Sequence, residues 1–307
     1  MKFTAISDLH GYLPKDLPGG DVLCICGDIV PLDYQNDFTQ SVAWFCLDFA
    51  PWADSQPYGK VVFIGGNHDF FLQELGEKNS PTSVMKHLLP GSHKGQSKLV
   101  YLCDNSVEID GVRIYGTPWI ADLARWAFYK PEDELAEIYG RIPQRCDILL
   151  THMPPLACDA GRVLQHGNYN TMANYGSLEL AEAISARDIN YALCGHVHTG
   201  NHCPEPFGCV RNVVNVSLKD ENYKVAFIPY NLHISAVSAE CQFGPAGNTT
   251  RILTQRIIRS TGVTGIFGTG WFDGAALIFH VLSCNSGKSA ITCLYVPVAK
   301  SYSSFTH

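Results

Sequence analysis

Five short segments of this chain carry residue types that can do chemistry together: Asp8-Leu9-His10, Gly27-Asp28, Gly66-Asn67-His68-Asp69, Thr151-His152 and Gly195-His196-Val197-His198. Asp8, Asp28 and Asn67 offer oxygen donors, and His10, His152, His196 and His198 offer imidazole nitrogens. A mixed oxygen and nitrogen set suits Mn, Fe or Zn better than Ca or Mg. Seven donors are too many for one such ion and fit two ions that share a bridging carboxylate. Two divalent ions about 3.5–4 Å apart can clamp a phosphoryl group and activate a bridging hydroxide for in-line attack. Taken singly, the motifs are weak: Asp-x-His and Gly-Asp recur by chance, and an isolated histidine such as His152 is ordinarily a satisfied core residue. Gly-Asn-His-Asp and Gly-His-x-His are more specific, and the ordered set of five is what argues for a site.

The elements that must position these residues are legible around them. Strands are predicted over Lys2–Ser7, Asp21–Cys26, Lys60–Gly65, Cys146–Thr151 and Asn190–Cys194, and each polar cluster falls just after one of them. In an open α/β sheet the carboxyl ends of strands are where ligands bind, so five such ends can converge on one crevice. Helices are predicted near Asp37–Trp52, Ser83–Leu89, Glu132–Gly140 and Ser177–Ala186. Continuous apolar strands alternating with helices mean an α/β fold whose sheets are covered on both faces. Ser106–Ile109 and Val112–Tyr115 flank Asp110-Gly111, a hairpin turn pair. Two further strands are predicted over Val210–Val216 and Tyr223–Pro229, with Asp220-Glu221-Asn222 turning between them. Gly27, Gly66 and Gly195 let the backbone turn at the strand ends and come close to a metal.

Length and composition set the frame. The 307 residues, 46% hydrophobic and 17% charged, suffice for one large core plus an appendage. A net charge of −7 gives no global basic field for a nucleic-acid polymer or an anionic membrane. The twelve cysteines include Cys24, Cys26 and Cys194 inside apolar runs, and the first residues show no secretory signal pattern. Reduced core thiols in a cytoplasmic protein are the expectation. Cys24 and Cys26 lie two apart on one strand face and read as packing residues.

Near Ser235 the character of the sequence changes: Gly, Ser and Thr become frequent, and Glu240 and Asp273 are the only acidic residues from there to His307. Gly265–Leu282 is apolar, but Asp273 sits at its middle and glycines interrupt it. A charge at mid-bilayer costs roughly 2.5–3.5 kcal/mol on insertion scales, which argues against a spanning helix. The expected organisation is a domain over 1–234 and a C-terminal extension over 235–307. For the extension three readings stay open: a loosely packed segment, a small all-β appendage, or unrelated sequence fused to a complete domain.

In order and residue type the five clusters resemble the calcineurin-like metallophosphoesterase superfamily, over roughly Met1–Ile234. Tyr115-Gly116-Thr117-Pro118-Trp119, Thr151-His152-Met153-Pro154-Pro155, and Asn215-Val216-Ser217 with Asn222-Tyr223 resemble the small metallophosphoesterase-domain proteins and class III cyclic-nucleotide phosphodiesterases. The resemblance implies a two-sheet sandwich flanked by helices. It implies that Asp8, His10 and His198 hold one metal, that Asn67, His152 and His196 hold the other, and that Asp28 bridges them. His68 would then face the leaving oxygen as the catalytic residue, and Asp69 would orient a neighbouring histidine or start a helix. Protein phosphatases of the superfamily place an Asp and an Arg soon after Gly-Asp; here Ile29-Val30-Pro31-Leu32-Asp33 follows, which argues against that branch and leaves Asp33 as the acid candidate beside His68. Trp119, His166, Asn170, Asn174 and Tyr175 lie in segments that resemble those around the family's crevice, though packing or surface roles are simpler for each.

The implied activity is hydrolysis of a small or nucleotide-like phosphoester, a phosphodiester first and a phosphomonoester next. A scaffold that keeps the fold without catalysis is the alternative; Asn67 and His68, both present, argue against it.

Overall fold

A computed structural model describes residues 1–89, 98–164 and 172–234, and beyond them the backbone of four strands between 259 and 296. The chain divides into two compact units, Lys2–Asn231, and Leu232–His307 together with Met1.

The larger unit begins with β1 (Lys2–Ile6) and β2 (Val22–Cys26), which pair in parallel. All five side chains of β2 are buried, as expected of a strand covered on both faces. A helical run follows: α1 (Phe38–Trp44), one π turn over Phe45–Phe49, and α2 (Ala50–Ser55). Then come β3 (Lys60–Ile64), α3 (Phe70–Gly76), α4 (Pro81–Leu88) and β4 (Leu99–Tyr101), with β3 parallel to both β2 and β4. Helices fall on one side of this sheet, where Phe45 and Phe49 pack against Phe63 and Phe71 packs against Phe45.

The second sheet opens with the hairpin β5 (Asn105–Ile109) and β6 (Val112–Thr117), turned by Asp110 and Gly111 at φ of 47° and 76°. After α5 (Glu132–Gly140) come β7 (Arg145–Thr151), the small hairpin β8 (Arg162–Leu164) and β9 (Met172–Asn174), α6 (Leu178–Ile184), β10 (Asp188–Cys194), β11 (Glu205–Phe207) and β12 (Val210–Asn215). The sheet order is β11-β12-β10-β7-β6-β5. Leu135, Ile138 and Tyr139 of α5 and Leu180 and Ile184 of α6 pack on its outer face with Leu149 and Ile189. With β13 (Tyr230–His233) as its edge, the first sheet runs β13-β1-β2-β3-β4.

The two sheets meet face to face, and the Cys26 thiol on β2 donates to the Leu193 carbonyl on β10 at 3.4 Å. The fold is an α/β two-sheet sandwich flanked by helices, as the sequence predicts. Cys24, Cys26 and Cys194 are buried, unpaired core thiols.

One predicted strand is corrected. Tyr223–Pro229 forms only an isolated bridge, Val225 with Lys219. The Asp220 carboxylate accepts from the backbone N–H groups of Asn222 and Lys224, both at 2.9 Å, and prolongs the turn. The strand begins beyond Pro229, a residue that has no N–H for a ladder.

In the second unit, β14 (Arg259–Ser260), β15 (Val263–Phe272), β16 (Ala275–Ser283) and β17 (Ser289–Val296) form an antiparallel sheet in sequence order. Among the described residues no helix is long and apolar enough to cross a membrane.

Candidate metal centre

The predicted ligands come from the exits of β1, β2, β3, β7 and β10. Four of them leave their strands through left-handed backbone: Asp8 at φ 57°, His10 at 42°, Asp28 at 52° and His196 at 65°. L-residues rarely adopt this region, and Asp and His are among those that tolerate it best. The reversal is held by a ladder between neighbouring exits. Asp8 N donates to Gly27 O at 3.1 Å, His10 N to Asp28 O at 2.9 Å and Gly11 N to Ile29 O at 2.9 Å. Two glycines line the resulting cradle. A Cβ on Gly66 would strike the Asp28 carboxylate and lie 2.8 Å from His152 Cε1. A Cβ on Gly195 would strike Ser7 Oγ and the Asp8 carboxylate. Their backbone thus approaches the ligands as closely as the sequence leads one to expect.

The side chains converge. Ligand atoms of Asp8, His10 and His198, of His10, Asp28 and His68, and of Asp8, Asp28 and His152 each lie within 4.8 Å of one another. Asp8 Oδ1 stands 3.3 Å from His198 Nε2, and His198 Nε2 stands 3.3 Å from His10 Nε2. Asp28 Oδ2 faces His152 Nε2 at 3.4 Å, His10 Nε2 at 3.7 Å and His68 Nε2 at 3.8 Å. Asn67 Oδ1 faces both His152 Nε2 and His196 Nδ1 at 2.8 Å. For bonds of about 2.1 Å, ligands on one ion stand about 3.0 Å apart in an octahedron and about 3.4 Å apart in a tetrahedron. Most of these separations are of that size, so the donor set fits divalent metal.

The outer nitrogens select the tautomers. His152 Nδ1 donates to Cys26 O at 2.8 Å and His198 Nδ1 to Asp220 O at 2.9 Å, which leaves Nε2 of each as a lone pair turned inward. His196 is reversed: its Nε2 lies 3.2 Å from Asp122 Oδ1, so Nδ1 points inward. His10 Nδ1 is buried without a hydrogen-bond partner. Outer hydrogen bonds of this kind fix ring orientation and raise ligand basicity.

Electrostatics follows from burial and charge. Burial works to raise the Asp8 carboxyl, but His198 and His152 hold it far below the usual carboxylate range. Asp28, equally buried, is held well below that range by His152, His68 and His10. Burial opposes charge on His152 and His198, yet Asp28 raises the first to about 9 and Asp8 raises the second to about 9. His10 is pushed by burial down to about 4, against the pull of Asp28 and Asp8. The centre therefore holds two committed anions that demand positive charge, which protons on His152 and His198 or a bound cation can supply.

Several partners were not visible in the sequence. His68 Nδ1 is hydrogen-bonded to Gln35 Oε1, not to Asp33, so the neighbour of His68 is a neutral amide. Among the described residues Asp69 forms no hydrogen bond or ion pair with a histidine side chain. Its carboxylate accepts from Ile29 N at 3.0 Å, Val30 N at 3.0 Å and Gly66 N at 2.9 Å, tying the exits of β2 and β3 together. It precedes α3 without capping it through the side chain, and burial with the nearby Asp28 raises it to about 7. Ser217 Oγ donates to Asp8 Oδ2 at 2.5 Å and orients the carboxylate. No spacing rule would have found Asp122 or Gln35, which lie 74 and 33 residues from their histidines. Trp119 donates to Asp104 at 2.7 Å, and Asn174 donates to Cys158 O at 2.7 Å. Tyr175 is exposed. His166 and Asn170 lie outside the described residues.

Comparison with known proteins agrees with this geometry. The family model described as calcineurin-like phosphoesterase matches residues 1–200. The chain is 30% identical over 247 residues to UPF0046 protein T07D4.2 of Caenorhabditis elegans, covering 72% of this chain and 58% of that one. It is 30% identical over 213 residues to the human metallophosphoesterase domain-containing protein 1, covering 65% and 61%. A second nematode relative, UPF0046 protein C25E10.12, is 28% identical, covering 75% and 79%. The chain thus spans about three fifths of the length of the first two. The strand-end candidate ligands fall within the matched residues, and the chain belongs to the calcineurin-like phosphoesterase family.

Proposed function

We propose that this chain hydrolyses phosphoesters of small or nucleotide-like compounds, with a phosphodiester preferred, at a centre of two divalent ions. The observation that carries this reading is the convergence of Asp8, His10, Asp28, Asn67, His152, His196 and His198 at the spacing of shared metal ligands. In this reading Asp8, His10 and His198 would hold one ion, Asn67, His152 and His196 would hold the other, and Asp28 would serve both. Bound ions would supply positive charge to the phosphoryl oxygens and acidity to a nucleophilic water. Mn, Fe and Zn all suit the donors.

The chain's own residues do the positioning. Asp28 Oδ1 accepts the His68 backbone N–H at 2.8 Å, which turns Oδ2 toward the rings of His10, His68 and His152. His68 is held by Gln35 and packs against Trp126 with ring centroids 4.5 Å apart. It presents Nε2 to the same space, where it protonates the leaving oxygen or steadies phosphoryl charge. The diester preference follows the class III resemblance. A reducing compartment such as the cytoplasm fits the buried thiols of Cys24, Cys26 and Cys194.

The test is metal-stripped protein given back Mn and assayed on bis-p-nitrophenyl phosphate and p-nitrophenyl phosphate. Diester turnover is expected, with His68→Ala about 10²-fold slower and its bound metal retained. Two bound ions with no turnover of either ester would favour a narrow specificity or a scaffold; failure to bind metal would mean the ligand set is wrong.

A further inference from the structure

Tyr223 stands out at the edge of the centre. Its backbone is left-handed at φ 58°, a region open to Gly or Asn but strained for a bulky aromatic residue. The preceding Asn222 would suit such a position better; a tyrosine there serves its side chain, not its backbone. The ring centroid lies 5.0 Å from that of His10 and 5.2 Å from that of His198, nearly perpendicular to both. The residue is nevertheless 42% exposed, so the ring spans the interval from the ligand histidines to solvent.

The turn that holds it is tied to the same histidines. Tyr223 N donates to Asp220 O at 3.0 Å, and His198 Nδ1 donates to that same carbonyl at 2.9 Å. The Asp220 carboxylate fixes the turn from the other side through Asn222 N and Lys224 N. One carbonyl therefore sets both the tautomer of His198 and the position of the ring, so the ring is registered to the centre. On the His68 side Trp126 is the corresponding aromatic, half-buried against that ring.

Resting on the phosphoester reading above, we propose that Tyr223 is a specificity-determining residue that receives a planar aromatic or heterocyclic group esterified to the phosphate. An exposed ring fixed by a turn offers a π surface with little ordering left to lose, and aromatic stacking tolerates any planar partner. Small alkyl esters gain nothing from it.

Calorimetry on the Mn-reconstituted full chain tests this without requiring turnover. Phenylphosphonate and methylphosphonate are titrated into the wild type, Tyr223→Phe and Tyr223→Gly, with bound metal measured for each. Removing the ring in Tyr223→Gly is expected to weaken phenylphosphonate about tenfold, the size of one stacking contact. Methylphosphonate affinity should stay within about twofold, and Tyr223→Phe should behave as the wild type. Equal loss for both ligands, loss of bound metal, or no loss at all in Tyr223→Gly would overturn the proposal; the first two would make Tyr223 a support for His10 and His198. Turnover of the nitrophenyl esters judges the hydrolase reading separately, so either can fail alone.

Discussion

Three of the candidate ligand histidines are anchored in two ways. His152 leaves a central strand of the second sheet, is fully buried, and gives its outer nitrogen to a backbone carbonyl of β2 in the first sheet, 126 residues away. His196 and His198 sit on the turn after β10, and their outer nitrogens go to loops, the Asp122 carboxylate and the Asp220 carbonyl. The donor atoms are alike, but the first anchor is part of the sandwich and can fail only if the sheets part. The second can open locally, because loops draw on fewer buried contacts than strands do. His152 is therefore set by the fold, and His196 and His198 by loops that can be altered without unfolding it.

Asp28 faces one histidine assigned to each proposed ion, His10 and His152, and its removal should have the largest effect. Asp28→Asn keeps the shape but removes the charge that faces His10, His68 and His152. Diester turnover should fall by roughly 10²–10³-fold or more, with bound metal reduced when measured by elemental analysis. A variant that kept both ions and its rate would dismiss Asp28 as the link.

Asp122→Ala separates the two anchors. Metal affinity measured by calorimetry should weaken roughly 10–100-fold for the ion assigned to Asn67, His152 and His196 and hold for the other, since His198 takes its orientation from the Asp220 backbone carbonyl and not from a side chain. Equal weakening of both ions would show that Asp122 supports the whole centre and not His196 alone.

Proton competition gives a smaller, graded effect. His152 and His198 are raised from an ordinary 6.5 to about 9. A group raised in the folded state contributes stability that is fully present below about 6.5 and is lost as pH climbs through about 9. Chelator-treated protein should lose on the order of 5 °C in Tm across that window, while metal-loaded protein should change much less. Parallel curves with and without metal would show that protons and metal do not share these nitrogens.

The smallest expected effect lies at Gln35. Gln35→Leu frees His68 Nδ1 without touching a ligand, and kcat should fall about threefold to tenfold with KM and bound metal unchanged. A loss of metal instead would place Gln35 among the supports of the centre, not of His68.

Much of this was legible in the sequence, for a physical reason. Apolar runs that end in Asp, Asn or His are local signals, and a strand buried on both faces must end at a sheet edge. The exits of β1, β2, β3, β7 and β10 and the meeting of seven candidate donors there could therefore be read directly. The hairpin at Asp110-Gly111 was local too. The strand predicted over Tyr223–Pro229 failed because a side-chain-capped turn at Asp220 consumed its first residues, a hydrogen-bond choice that composition does not reveal.

By itself, then, the sequence determined which residues could bind metal and that they would gather at strand ends, because both follow from residue chemistry and short-range periodicity. Only the tertiary structure decided which nitrogen of each histidine faces inward, that Gln35 and not Asp33 meets His68, that Asp69 braces two strand exits, and that Tyr223 borders His10 and His198. Those choices rest on hydrogen-bond acceptors tens of residues away, brought within about 3 Å only when the two sheets stack and their loops close over the ends.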